Sequence, residues 1–461
     1  MSLQTNCMIA SRNWTDEDAP SATSTSSITV GTGSKSFTVA NTTRFWNGAT
    51  ITATGSSSAN VMSGTITAFS PTTGTGAFLA TASSGSGTHS SWTLGINKWS
   101  MGSWSTTLPL TYLEDNRLYK VARSSGIAVN QTRLRLDLSA LYPVNLAAFL
   151  SHNLSQSCYW RLRLLTIAPD TGVITVVQDS GKDYTWPVIT VNGVDPWGLF
   201  PWGGRLLVGD SYQPPAIYVF RDQVSTTSAT SMTLATGQKI MTVASTTDLF
   251  VSQRLGIYRS SDWTTGLLGV ITDISGLNVT IQVTDYEAAG TYNSGGGAAY
   301  TDWVVKGTKA DGEGKSYTSR FIEIDFFDEA NTDSYIEGGR LMVSSAWVPS
   351  INMQYPFAIQ FVDDSRRSRS RGGQPFVDIV NKYRRQKIRF AGLERNEIFA
   401  TLYEIQRIQG VGLPILVIPD PDDMVNLHRL TVYGSLAATG DIHLDVADLW
   451  ASEITIEEWV A

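Results

Sequence analysis

The sequence predicts a mainly β, multidomain protein: a central β-sandwich, two small inserted β-modules, and a C-terminal α+β or β-rich domain. Three observations carry this reading. Charged residues make up only 16% of the chain while Gly (40) and Trp (14) are plentiful, a β-rich profile. A segment of the first hundred residues recurs after position 230. The stretches between and after the copies alternate apolar with polar residues at the period of a half-buried strand. At 461 residues the chain is long enough for about three domains, at roughly 100–200 residues each. With 42% apolar residues it can offset the entropy of ordering, which excludes a disordered, collagen-like or coiled-coil chain.

The repeat fixes the first boundaries. Ser27 to Trp46 aligns without gaps on Ser231 to Phe250, with half the positions identical, and Gly64-Thr-Ile-Thr sits against Gly269-Val-Ile-Thr. Each copy closes on a tryptophan, Trp92 and Trp303. The copies span 22–96 and 224–306 behind an N-terminal segment, 1–21. Ile28 and Val30, then Phe37 and Val39, alternate with polar residues on either side of Gly31-Thr-Gly33, so a hairpin is expected to open each module.

Between and after the copies run Thr132 to Leu138, Val144 to Leu150, Trp160 to Leu165 and Phe321 to Phe327. They read as strands of one discontinuous sandwich, 97–222 with 307–350, into which the second module is inserted. Insertion in a loop costs little, and the modules are expected to project outward. In Phe321–Phe327, Ile322, Ile324 and Phe326 fill the core face and Glu323 and Asp325 are expected on the wet face.

From 351 to 461 charges become dense. Ile398, Leu402 and Ile405 fall on one helical face with Gly410 as a stop. Pro414 to Pro419 reads as a short buried strand, Asp420 to Asp423 as a turn, and Ile454 to Trp459 as a last strand. Ten basic residues lie between Arg366 and Arg395, against Asp378 and Glu394 alone. In a chain of net charge −7, a complementary contact between subunits explains Arg366, Arg367, Arg369, Arg371, Arg384 and Arg385 better than a solvated loop or a nucleic-acid site. A rigid loop from Tyr184 to Gly204 displays Trp186, Trp197 and Trp202 among Pro and Gly; interface, core plug and sugar stacking all stay open for it.

Reactive groups do not converge in the sequence. His89, His152, His428 and His443 show no metal-ligand spacing, and Ser-His152-Asn reads as a satisfied turn. Gly314-Lys-Ser316 lacks the glycine a phosphate loop needs, since Lys309 stands in its place. Asp420 to Asp423 lacks the glycine and distal glutamate of a calcium loop. Cys7 and Cys158 are too few for a disulfide framework, and a reduced compartment fits them. No basic leader with an apolar run opens the chain and no stretch of about 18 apolar residues occurs. No enzyme activity, cofactor, catalytic or metal site, nucleic acid or membrane insertion is therefore expected.

The motif Ser27-Ile-Thr-Val-Gly-Thr-Gly-Ser-Lys-Ser-Phe-Thr-Val39, with Gly64-Thr-Ile-Thr and Gly85 to Trp92, resembles a β-module scattered through tail fibres and tail-tip proteins of tailed bacteriophages. Val121 to Gly126, Leu136-Asp-Leu, Pro143 to Leu146, Ser151 to Leu154 and Trp160 to Arg163, closed by Tyr335 to Val343, are similar to galactose-binding-like (discoidin-type) jelly rolls of phage tail proteins. Together these cover about three quarters of the chain. The resemblance implies a structural baseplate or tail-tip component of siphovirus-type phages, made in the host cytoplasm and carried in the virion tail. Its implied partners are copies of itself in a ring, trimer or hexamer, other baseplate and tail-tube proteins, and tail fibres or host glycan. The alternative it leaves open is a receptor-binding or carbohydrate-binding tail protein that recognises host surface sugars.

Overall fold

A computed structural model describes residues 6–40, 45–155, 157–185, 215–309, 314–371, 373–378, 380, 382–423, 426–446 and 448–460. The protein is mainly β, 54% strand and 7% helix, with several distinct sheets.

The sandwich stands at the centre. One sheet orders Trp99–Ser100, Leu134–Val144, Tyr317–Phe327, Tyr159–Ile167 and Ile174–Asp179, with Asp183–Tyr184 beside Tyr159–Ile167. The other orders Ala122–Arg123, Glu337–Ser344, Leu146–His152 and Ala216–Val219. Alternation along each strand decides what faces inward. Leu134, Leu136, Trp160, Leu162, Leu164, Ile322, Ile324 and Phe326 from the first sheet meet Ala147, Phe149, Tyr218, Leu341 and Val343 from the second in one buried core.

The two modules repeat one topology. The first orders Ser21–Ser24, Trp92–Ile96, Thr50–Gly55, Val61–Phe69, Thr75–Ser84 and Gly33–Thr38; the second orders Gln223–Ser228, Trp303–Thr308, Arg254–Arg259, Gly266–Ser275, Asn278–Ala288 and Gly237–Thr242. Equivalent hydrogen bonds recur, Thr38 N to Ser26 Oγ and Thr242 N to Thr230 Oγ1, each 2.9 Å. The closing indoles Trp92 and Trp303 are both buried and each donates to a backbone carbonyl at 2.8 Å, of His89 and of Tyr300.

The expected opening hairpin does not form. Ile28–Thr29 pairs with Thr88–His89, and Gly33–Thr38 pairs with Thr75–Ser84; Met232–Thr233 and Gly237–Thr242 part company in the same way. Gly33 and Gly237 do take positive φ, +99° and +104°, but they turn a corner between two sheets. A flat hairpin would leave one face of Ile28 and Phe37 open to water. The corner lets both side chains enter a single core from two sides.

The terminal domain is built on a sheet ordered Met8–Ala10, Ile415–Ile418, Val432–Ala438, Leu449–Glu458, Tyr383–Glu394 and Gln354–Val362, with Ile442–Val446 continuing beside Leu449–Glu458. Its first strand comes from the N-terminal segment, which thus ties the two ends of the chain together. The expected helix is two short ones, Arg395–Ala400 and Leu402–Gln409, broken at Thr401 and ended by Gly410 at φ +50°. Ile398, Leu402 and Ile405 are buried on one face of this sheet, among Ile388, Phe390, Ile454 and Ile456.

The sandwich is covered on both outer faces. Leu146, Ala148, Leu150 and Met342 pack against Met8, Ala10, Leu416, Ile418 and Tyr433 of the terminal sheet. On the opposite side Leu165, Val176 and Phe321 share an apolar cluster with Trp46 of the first module and Tyr258, Trp263 and Val304 of the second. Asn47 N donates to Pro169 O at 3.2 Å and Trp46 Nε1 to Asp137 Oδ2 at 3.3 Å. The modules therefore lie against the sandwich and do not project from it: the second covers it with strand residues Tyr258 and Val304, the first with Trp46 and Asn47 from the connection between two of its strands.

Candidate assembly surface

Seven of the ten basic residues from Arg366 to Arg395 separate into two sets. Arg384, Arg385 and Lys387 on Tyr383–Glu394 are answered within the sheet. Arg384 is buried and grips Glu458, Nε to Oε2 at 2.9 Å and Nη2 to Oε1 at 2.5 Å, while its Nη1 donates to Arg429 O at 2.6 Å. Arg385 pairs with Glu457, its register partner on the neighbouring strand, and Lys387 with Glu453 at 2.7 Å. Arg384 is thus a buried internal pair, which removes it from the expected subunit contact, while Arg385 forms a partly exposed cross-strand pair. The sequence hid this because their partners lie some seventy residues on, in the last strand.

Arg366, Arg367, Arg369 and Arg371 have a different setting. Gln354–Val362 is the edge strand of the terminal sheet, and between it and Tyr383–Glu394 the chain runs out as a second hairpin, Arg366–Arg369 against Pro375–Asp378. The four arginines are exposed on this arm. So are Phe361 (70%), Phe376 and Val377, while Tyr355, at the far end of the edge strand, is 89% exposed. Ile359 and Phe361 stand opposite Gln386 and Arg384, on the face that the two helices cover farther in. The apolar stripe continues and the cover stops. Sequence reasoning passed over Tyr355 and Phe361, although the alternation from Ala358 to Val362 marks a strand made to be half-buried.

Glu323 and Asp325 are fully buried, which overturns the expected wet face. They belong to a cluster of four guanidiniums and four carboxylates between the sandwich and the second module. Arg161 holds Asp179 with two bonds (2.6 and 3.0 Å) and reaches Glu287 of the module at 3.0 Å. Arg163 joins Glu287 (3.0 Å) to Glu323, Arg133 joins Glu287 (2.7 Å) to Asp325, and Arg135 binds Glu323 at 2.6 Å. Tyr292 OH accepts from Arg161 at 2.9 Å and donates to Asp325 at 2.7 Å. The Trp263 ring lies under Arg135 and Arg163, 5.3 and 5.0 Å from its centroid. Gly256 makes the approach possible: a Cβ there would sit 2.5 Å from the Asp179 carboxylate.

Burial alone would raise the Glu323 carboxyl, but Arg163, Arg135 and Arg133 overcome it and hold the group down to about 2. Burial drives the Tyr292 hydroxyl well up, so it stays a donor. With its two carboxylate oxygens held by Arg163 and Arg135 and no surface exposed, Glu323 serves here as an ion-pair partner. The cluster is a joint.

The remaining sequence candidates serve the backbone. His152 is buried, stacks on Phe149 and accepts from Leu154 N at 3.2 Å. Lys315 donates from its backbone to Phe220 O and pairs with Asp222. Asp420 Oδ1 accepts from Asp422 N and Asp423 N, closing the turn. Among the described residues no group of three or more His, Cys, Asp or Glu is placed to hold a metal. Nor is any helix there long and apolar enough to cross a membrane. Cys7 and Cys158 are free and buried. A cleft of about 290 Å³ between the N-terminal segment, sandwich and terminal sheet has Arg340 in its wall, already bound to Asp16 at 2.7 Å. Trp186, Trp197 and Trp202 lie outside the described residues.

Comparison with protein-family models, curated proteins and solved structures gives no match in any of the three.

Proposed function

We propose that this chain is a structural component of a bacteriophage tail baseplate or tail tip, working by attachment and not by turnover. The observation that supports it best is the arm of the terminal domain: an edge strand and hairpin that expose arginines and aromatic rings on an otherwise acidic chain. Exposed edge strands invite pairing with another chain, and proteins that do not use them usually blunt them. The fused modules and sandwich fit the same reading, since rigid joints suit a part that bears load. In this proposal the sandwich is a galactose-binding-like jelly roll and the partners are copies of the chain, other baseplate and tube proteins, and tail fibres.

The test is location. Antibody against residues 22–96 should decorate the tail tip of intact particles in electron micrographs, and the chain should be found in purified virions. Particles that lack the chain would end this reading.

A further inference from the structure

The terminal sheet has a second free edge. Ile442–Val446 pairs only with Leu449–Glu458 among the described strands, and it exposes Leu444 (55%) and Val446 (62%). Leu444 stands opposite Trp450, whose ring packs on the helix-covered core. Here too an apolar stripe runs out from beneath its cover. The charge at this edge is opposite to that of the arm, for Asp441, Asp445 and Asp448 are all exposed.

The two edges lie at diagonal corners of the sheet. Val362 pairs with Tyr383, and Arg385 with Glu457, so the arm leaves beside the C-terminal end of Leu449–Glu458. Ile442–Val446 pairs with the N-terminal end of that strand, Leu449 to Ser452, on its other side. Ten residues of strand set these corners about 30 Å apart along the sheet, with two strands between them. A chain therefore does not answer its own arm.

We infer that the arm of one copy docks on the Ile442–Val446 edge of a second copy, adding strand to strand, with its arginines against Asp441, Asp445 and Asp448. Main-chain pairing supplies the contact, and Ile359 and Phe361 meet Leu444 on the helix-covered face. The opposed charges set the order of edges and keep arm from meeting arm. Because the two surfaces differ, the contact is head-to-tail and repeats until it closes a ring or extends a filament. This deepens the assembly reading and rests on it.

Charge exchange tests it on the full chain. The wild-type protein should form a closed or extending oligomer by native mass spectrometry and light scattering. Reversing the arm (Arg366→Glu, Arg367→Glu, Arg369→Glu) or the edge (Asp441→Lys, Asp445→Lys, Asp448→Lys) should each weaken it by about 100-fold or more in dissociation constant. Combining both sets in one chain should restore it, and mixing the two reversed chains should give alternating assemblies. A wild-type monomer at all concentrations, or an oligomer that neither reversal weakens, overturns the inference. In the latter case the assembly reading stands, because the chain still associates and is still sought in virions.

Discussion

On the sandwich face toward the terminal domain, Leu146, Ala148, Leu150 and Met342 meet Leu416, Ile418 and Tyr433. On the face toward the second module, Arg133, Arg135, Arg161 and Arg163 meet Asp179, Glu287, Glu323 and Asp325. Both faces are dry, the first through apolar packing and the second through an ion cluster that lies beside a smaller apolar one, Leu165, Val176 and Phe321 with Tyr258, Trp263 and Val304. The apolar joint gains from removing hydrocarbon from water and tolerates small shifts. The charged joint gains little in net stability, because desolvation offsets most of the attraction, but it is intolerant of a missing partner. It fixes the orientation of the module, since each guanidinium accepts only a narrow geometry.

The largest effect should come from breaking the charged joint. Arg163→Met leaves Glu287 and Glu323 short of a counter-charge while buried, and should cost about 3–5 kcal/mol in denaturant titration. Leu416→Ala on the apolar side should cost about 2–4 kcal/mol by loss of packing. An Arg163→Met loss below about 3 kcal/mol would erase the distinction.

Acid should separate the two joints. The Glu323 carboxyl is depressed in the folded protein to about 2, against about 4.3 for a free glutamate. Its contribution is therefore present above the unfolded value and is lost as pH falls through the folded one. Between pH about 4 and 2 the second module should loosen first. Hydrogen exchange should rise across Gln223–Ser228 and Arg254–Arg259 while Ile415–Ile418 stays protected. Simultaneous loss at both joints would contradict it.

The smallest effect sharpens the comparison. Tyr292→Phe removes one hydroxyl between Arg161 and Asp325 without removing a charge. It should cost about 1–2 kcal/mol, read by the denaturation midpoint. A larger loss would show that Asp325 depends on that hydroxyl more than on Arg133.

The sequence reading succeeded where one strand carried its own answer. Val144 to Leu150 reads as a buried run because every position but Asn145 is apolar, and all seven are buried. In Thr132–Leu138, Trp160–Leu165 and Phe321–Phe327 the inward residues were equally plain, but the outward charges looked like a surface facing water. Alternation reports which residues share a face and says nothing about what covers that face. Arg384 misled for the same reason, as its counter-ion Glu458 stands on a strand far along the chain. The hairpins predicted at Gly31–Gly33 and Ala235–Gly237 failed because proximity in sequence favours a turn, whereas partner choice follows the core.

By itself, then, the order of residues determined the β class, the repeated modules, the inward faces of the sandwich and the short buried strand at Ile415–Ile418, all of which follow from local periodicity and turn chemistry. Only the tertiary structure decided that eight charged groups would be sealed at a joint, that four arginines would stay in water on an arm, and that the first strand would join the last sheet. Those outcomes depend on which distant groups come to share a low-dielectric contact, and the energy of a charge is set by its neighbours in space rather than by its neighbours in the chain.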